Sequence, residues 1–209
     1  MTESESTGAA DPVASVADHK QVLLGYLRTA RQALLWKLDG LSDYDVRRPL
    51  TPTGTNLLGI VKHVGSVEMG YFTEVFGRPC PVRFPWFEDG AEPNADFWAT
   101  ADESRDDICA LYRQSWQVSD ETILQLPLDT VGAVPWWPPE RQHPTLLHVM
   151  IHMIAETNRH AGHADIVREL IDEAAGWGEG NDLLAPGDAE WWREYRSRLE
   201  AVARGFRPS

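Results

Sequence analysis

Ionisable side chains occupy positions between Val149 and Leu170 that a buried helix normally fills with apolar residues. Steps of four and three residues in alternation mark one side of a helix, the side that usually faces a core. Along that side the residues are Val149, Met153, Glu156, His160, His163, Val167 and Leu170. Burial of a carboxylate and of imidazoles is costly unless the groups are paired. A metal ion is the partner that this mixture of ligand types favours.

Glu156 and His160 are four residues apart, which places their Cβ atoms roughly 5–6 Å apart on a helix, close enough to bind one ion. A catalytic zinc usually has three protein ligands and an open position, so a third ligand must come from another helix. His63 has an inward-leaning position in the middle of a second predicted helix. The sequence therefore predicts a metal site of His63, Glu156 and His160. Zinc is the preferred ion, and Ni²⁺ or Fe²⁺ would accept the same donors.

Other polar residues of the same helix remain alternatives. His152 could replace one of the ligands, and a His160–His163 pair is geometrically possible, although His163 lies two turns from Glu156. Candidates for orienting the ligands from outside are His152, Arg159, His163 and Asp165. The cluster could also be a solvated polar face, and His63 a hydrogen-bonded core residue. The core register of the cluster favours the metal site.

Helical periodicity predicts an all-α chain, a four-helix bundle with long crossover loops and a C-terminal helix. Residues 1–14 are small, polar and acidic and are expected to form a disordered tail, while residues 15–209 form one domain. The predicted helices cover roughly residues 15–38, 55–76, 101–125, 145–174 and 188–204. Their start and stop signals are Ser15, a Thr100–Glu103 capping box, Thr145, and Gly176 after the fourth helix. The tryptophans of loops 77–100 and 126–144 are expected mainly to pack over the core, and in an enzyme these loops would also form the wall of a substrate pocket.

Composition and charge exclude several classes of partner. The net charge of −13 opposes binding to nucleic acid. The sequence has neither an apolar run long enough to span a bilayer nor a signal segment at its start, so we expect a cytoplasmic protein that does not bind membranes. Cys80 and Cys109 are too few and too far apart for a disulfide framework or a thiolate zinc site. The expected partner is a small molecule, and the amphipathic C-terminal helix is compatible with a homodimer.

Two segments resemble the DinB-like superfamily of metal-binding four-helix bundles, and in particular an actinobacterial branch of it. The segments are GIVKHV (residues 59–64) and HMIAETNRHAGHADIVRE (residues 152–169), and the resemblance covers about residues 17–175. In that superfamily the metal is held by a histidine of the second helix and two residues four apart on the fourth. The resemblance thus implies His63, Glu156 and His160 as ligands. This His/Glu/His set is similar to that of the mycothiol-dependent maleylpyruvate isomerases, which are zinc enzymes of the same superfamily.

The resemblance implies a metal-dependent enzyme, a transferase or isomerase that uses a thiol such as mycothiol on a small electrophilic molecule. The isomerases carry a further α/β domain after the bundle, whereas residues 176–209 are expected to form a loop and a helix, which disfavours the isomerase reaction itself. A metal-bound water would instead serve a hydrolase. A closed site with four ligands would indicate a structural ion and a non-catalytic bundle.

Overall fold

The computed structural model of the protein describes residues 16–208, with side chains from residue 19 onward. The predicted disordered tail over residues 1–14 and the predicted cap Ser15 lie outside the described residues. The helices are α1 (Val16–Trp36), α2 (Asp43–Arg47), α3 (Leu57–Phe72), α4 (Arg105–Gln125), α5 (Leu146–Asp172) and α6 (Ala189–Arg204). Within residues 16–208 the remaining chain forms loops and short 3₁₀ turns and no β-strand. The prediction of an all-α chain is therefore confirmed.

Four of the helices enclose the core. α3 contacts α4 and α5, and α1 contacts the same two helices, so that each member of the set touches two others. One apolar cluster contains Leu34, Leu58, Val64, Tyr112 and Ala164. A second cluster contains Leu27, Phe72, Ile123, Val149 and Met153. We interpret this arrangement as the expected four-helix bundle, with long loops between α3 and α4 and between α4 and α5.

Side-chain caps mark the helix starts. The side chains of Thr145 and Asp188 each accept a backbone N–H three residues later, so the starts predicted there are confirmed. Ser42 caps α2 in the same way. The sequence pattern does not predict this helix, because five residues are too few to show a helical period. α5 ends at Asp172, because the next residue, Glu173, has a left-handed φ of 64° that stops the helix before the predicted Gly176.

The start predicted for α4 at residue 101 is wrong. Ser104 accepts a hydrogen bond from the Asp107 N–H, and α4 begins directly after it. The Glu103 carboxylate does accept the Thr100 N–H at 2.8 Å, but it also accepts a hydrogen bond from Lys62. The predicted capping box therefore anchors a loop, and a second cap four residues later starts the helix.

α5 does not keep all of its predicted inward positions inside. Val149, Met153 and Val167 are buried, whereas Leu170 is 63% exposed and His163 is also exposed. Steps of four and three follow a 3.5-residue repeat, and on a 3.6-residue helix such a line drifts by about 20° per heptad. The prediction that His163 and Leu170 face the core is wrong for this reason.

α6 is amphipathic but lies on the surface. Trp192, Tyr195 and Leu199 share one side of it, and none of its residues is buried. Of the helices within residues 16–208, none combines the length and the apolar character needed to cross a bilayer.

A buried ion pair joins three of the core helices. Glu68 of α3 and Arg31 of α1 are 0% and 1% exposed, and Arg31 Nη2 lies 2.8 Å from Glu68 Oε1. Arg31 Nη1 also donates to Asp120 of α4 at 2.7 Å. Because a buried charge is tolerated only when paired, these contacts hold α1 and α4 against α3.

We expect Glu68→Ala to lower the free energy of unfolding by about 3–5 kcal/mol, because it leaves the Arg31 guanidinium buried with one partner removed. Urea unfolding followed by circular dichroism measures the change. Glu74→Ala removes an exposed carboxylate just after α3 and is expected to stay within about 0.5 kcal/mol. Equal effects of the two substitutions would contradict this role of Glu68.

Candidate metal centre

Three potential metal ligands meet between α3 and α5. Nε2 of His63 lies 3.7 Å from Oε1 of Glu156, and Nε2 of His160 lies 2.9 Å from the same oxygen. One ligand atom from each residue lies within 4.8 Å of the other two. The structure therefore brings together the three residues that the sequence analysis selected. We call them the ligand triad.

The triad forms because α3 and α5 face each other along matching lines of side chains. His63 and Tyr71 lie two turns apart on α3, and His152, Glu156 and His160 follow at intervals of four on α5. The ring of His63 lies 4.9 Å from that of His160, and the ring of Tyr71 lies 5.0 Å from that of His152. The two helices therefore run in opposite directions along this contact.

A carboxylate from the loop between α3 and α4 holds the second nitrogen of His63. Oδ2 of Asp96 lies 2.6 Å from Nδ1 of His63, and these side chains are only 14% and 12% exposed. Burial raises the pKa of Asp96, but the hydrogen bond and the charge of His63 outweigh burial and leave that pKa lowered. In the tautomer with its proton on Nδ1, His63 donates to this carboxylate and has Nε2 as an acceptor on the side of Glu156.

The protonation states around the triad suit a cation. Burial raises the pKa of Glu156, but His160 and His63 lower it by more, so the net shift is downward. Burial lowers the pKa of His160, His63 lowers it further, and Glu156 opposes both. The carboxylate is therefore ionised and the His160 ring neutral near pH 7. When Nδ1 of His63 donates to Asp96, Nε2 of His63 faces Oε1 of Glu156 at 3.7 Å as a second acceptor, and a positive ion between these two atoms would be stabilised.

The two separations from Glu156 Oε1 are also close to those expected around a divalent metal. Tetrahedral bonds of about 2.0–2.1 Å place the donor atoms roughly 3.4 Å apart. The 2.9 and 3.7 Å separations from Glu156 Oε1 bracket that value. Two imidazoles and one carboxylate form a donor set that zinc accepts. The residues present therefore fit the ion that the sequence predicted.

Gly59 allows the loop to approach α3 closely enough for these contacts. A Cβ atom at this position would lie 1.7 Å from the carbonyl oxygen of Phe97. Asn56 caps α3 by accepting the Gly59 N–H, and its Nδ2 donates to the same Phe97 carbonyl at 3.0 Å. The Phe97 ring stacks on His63 with 3.9 Å between ring centroids. The close approach at Gly59 thus sets both Asp96 and Phe97 against His63.

Lys62, the residue before His63 on α3, holds the same loop. Its side chain is buried, and Nζ donates to the carbonyl oxygens of Ala95 and Trp98 at 3.0 Å each. Nζ also pairs with Glu103 at 2.8 Å and lies 4.1 Å from the centroid of the Trp86 ring. Lys62 therefore holds both sides of the turn that carries the carboxylate for His63.

Two of the predicted orienting residues lie beside the triad without joining it. His152 packs against Tyr71 and Trp137, with ring centroids 5.0 and 5.1 Å apart. Burial lowers the pKa of His152, which keeps its ring neutral near pH 7. Arg159 is 68% exposed, and its Nη1 lies 4.0 Å from Oε2 of Glu156, so it is a weak surface partner.

The other two predicted orienting residues require a correction. His163 is exposed, and it meets the triad only through its ring edge, 5.3 Å from the centroid of His160. The Asp165 carboxylate bonds Lys37 Nζ at 2.6 Å and the Gly176 N–H at 2.7 Å. Asp165 therefore fastens the loop after α5 to α1, because five residues along a helix turn it away from His160.

The residues that the sequence analysis missed all position the loop. Asp96 is one of four carboxylates in residues 88–96, and nothing in their spacing singles it out. Metal-bound histidines usually donate their second N–H to a carboxylate or carbonyl, so a partner for His63 was to be expected, but not its position. Asn56 and Gly59 carry a weak signal, a cap residue followed by a glycine inside an apolar helix. No sequence signal indicated that Lys62 would be buried or would contact the loop.

The all-helical fold and the ligand triad agree with the DinB-like resemblance of the sequence. A model of the mycothiol-S-transferase family matches residues 22–173, which is most of the chain. The chain belongs to this family, and the DinB-like resemblance of the sequence is confirmed. No curated protein matches the chain.

We expect His63→Ala to lose zinc that the wild-type protein retains through dialysis, because two ligands from one helix form an incomplete site. The measurement is metal content per chain by plasma mass spectrometry. The matched control is His163→Ala, which removes an exposed histidine beside the triad and should retain zinc. Full retention by His63→Ala would exclude the proposed ligand set.

Asp96→Asn should weaken zinc affinity roughly 10- to 100-fold, because the amide no longer fixes the tautomer and the orientation of His63. Competition with a chromophoric chelator measures the affinity. Asp89→Asn, at an exposed position of the same loop, should leave it unchanged. Identical affinities for the two variants would show that the contact with His63 does not matter for binding.

Proposed function

We propose that the protein is a metal-dependent mycothiol S-transferase. In this proposal His63, Glu156 and His160 hold a divalent ion, zinc by preference, and the thiol of mycothiol reacts with a small electrophilic molecule. The main support is that three ligand atoms lie within 4.8 Å of one another. The chain that carries them belongs to the mycothiol-S-transferase family. Family membership favours thiol transfer over isomerisation, over hydrolysis by bound water and over a purely structural ion.

A divalent ion in this position supplies a Lewis acid that favours a thiolate over a thiol. The protein contributes one negative charge through Glu156 and none through the two imidazoles, so the occupied site keeps a positive charge for an anionic sulfur. Asp96 keeps His63 in the tautomer that has an acceptor at Nε2. Phe97 covers one face of that ring and shields it from water. These residues hold the ligands in place before any substrate arrives.

Glu156 is the most exposed residue of the triad. The Glu156 side chain is 21% exposed, whereas His63 and His160 are 12% and 7% exposed. Three protein ligands leave one position of a tetrahedral ion for an incoming group. In the proposed reaction the sulfur forms a bond to a carbon of the electrophile. The thiol proton and the leaving group depart to solvent.

Three further properties follow from the sequence and stay predictions. We expect a small-molecule substrate, a cytoplasmic location, and a homodimer that uses the exposed apolar side of α6. The single domain over residues 15–209 is also proposed here.

Removing the metal by dialysis against a chelator should reduce conjugation of mycothiol to 1-chloro-2,4-dinitrobenzene to the uncatalysed rate, and added zinc should restore it. Absorbance of the thioether product measures the rate. Glu156→Gln should behave like the metal-free protein, while His163→Ala should keep its rate. An unchanged rate without metal would contradict the proposal. Release of the dinitrophenol in the absence of thiol would indicate a hydrolase instead.

A further inference from the structure

Four aromatic side chains form a second cluster on the same pair of helices. Tyr71 of α3, His152 of α5, and Trp136 and Trp137 of the loop before α5 compose this aromatic subsite. The Tyr71 ring centroid lies 5.7 and 5.9 Å from those of Trp136 and Trp137 and 5.0 Å from that of His152. The subsite contains none of the ligand triad. His152 precedes Glu156 by one helical turn and is therefore the member of the subsite that lies next to the triad along α5.

The tryptophans of the subsite are held by their polar edges. Nε1 of Trp137 and Nε1 of Trp136 both donate to the Tyr71 hydroxyl, at 2.8 and 3.3 Å. Gln142 Nε2 donates to the carbonyls of Pro135 and Trp137 at 3.0 Å each, which closes the loop on itself. Nevertheless Trp136 is 58% exposed. An oriented ring with an open face can serve as a stacking surface, whereas a tryptophan that only fills a core would be covered.

His152 adds unused hydrogen-bonding capacity. Its ring is half-buried between Tyr71 and Trp137, and among the residues that the structure describes it has no hydrogen-bond partner. A neutral imidazole offers one donor and one acceptor. The subsite thus combines an open aromatic face with a polar group, which is the composition of a small-molecule binding site.

The distance between the ligand triad and the aromatic subsite determines how long a substrate must be to contact both. Tyr71 follows His63 by eight residues on α3, a separation of about 12 Å along the helix axis. In mycothiol the cysteine is joined by an amide to two linked, hydroxyl-rich rings, which span a comparable length. With the sulfur at the triad, the rings extend along α3 and α5 to the aromatic subsite.

We propose that the aromatic subsite binds the polyhydroxylated rings of the thiol co-substrate, with a ring stacked on Trp136 and a hydroxyl group hydrogen-bonded to His152. This inference rests on the proposed function and deepens it. It assigns the two clusters to the two ends of one molecule, the sulfur to the triad and the rings to the tryptophan loop. Discrimination against simpler thiols then comes from the subsite, because a thiol without the rings leaves it empty.

The test compares mycothiol with N-acetylcysteine, which has the sulfur but no rings, in the zinc-loaded full-length protein. Trp136→Ala should raise the KM for mycothiol at least tenfold and leave kcat and the KM for N-acetylcysteine within twofold. Trp136→Phe keeps an aromatic face and should recover most of the affinity. The matched control is Trp177→Ala, because Trp177 is a partly exposed tryptophan that lines a separate pocket with Ala33 and Gly162.

A second measurement does not depend on metal or turnover. The cysteine-free glucosaminyl-inositol portion of mycothiol should change the tryptophan fluorescence of metal-free wild-type protein, and Trp136→Ala should abolish the change. An unaltered signal in the wild-type protein would overturn the inference. So would equal KM increases for both thiols, or an increase only for the electrophile, which would place the electrophile in the subsite. If ring binding is seen but metal removal leaves conjugation unchanged, the proposed function fails while the subsite stands.

Discussion

The structure depends on the polar side chains of α3, a helix that is buried on most of its sides. Lys62 and Glu68 are 2% and 0% exposed, and His63 lies only slightly nearer the solvent. A buried charge without a partner costs several kcal/mol, so each of these groups must meet a complementary one. Their partners lie on the loop before α4, on α5 and on α1. Lys62 binds the loop before α4, His63 meets Asp96 and α5, and Glu68 pairs with α1.

The candidate site follows from the same constraint. The neighbours Lys62 and His63 both contact residues 95–98, one through carbonyl oxygens and the other through the Asp96 carboxylate. The same contacts therefore fix both the position of residues 95–98 and the orientation of the His63 ring. Gly59 makes that set possible, since any side chain there would collide with the Phe97 carbonyl. The site is held by rigid elements on two sides, α3 and α5, and by a loop that is tied at several atoms.

Parts of this arrangement were predictable from spacing alone. Two residues four apart on one helix can share an ion whatever surrounds them, so Glu156 and His160 could be paired without a structure. His63 could also be selected from the sequence, because a histidine in the middle of an apolar helix is unusual. The cap residue Thr145 marked the start of α5 because capping is a contact between residues three apart. The start of α4 was misplaced because two caps compete within five residues and Lys62, far away in sequence, takes up the first.

The amino-acid sequence by itself determined the all-α class and, through spacing along two helices, the three residues of the triad. It determined them because helical period and capping are local properties that repeat every few residues. Tertiary structure alone decided that Asp96, among several loop carboxylates, binds His63, and that Asp165 turns instead to Lys37. It also decided which side of α5 is buried near its end and which tryptophans donate to the Tyr71 hydroxyl. Those outcomes depend on contacts between residues far apart in the chain, and side-chain pattern carries little record of such contacts.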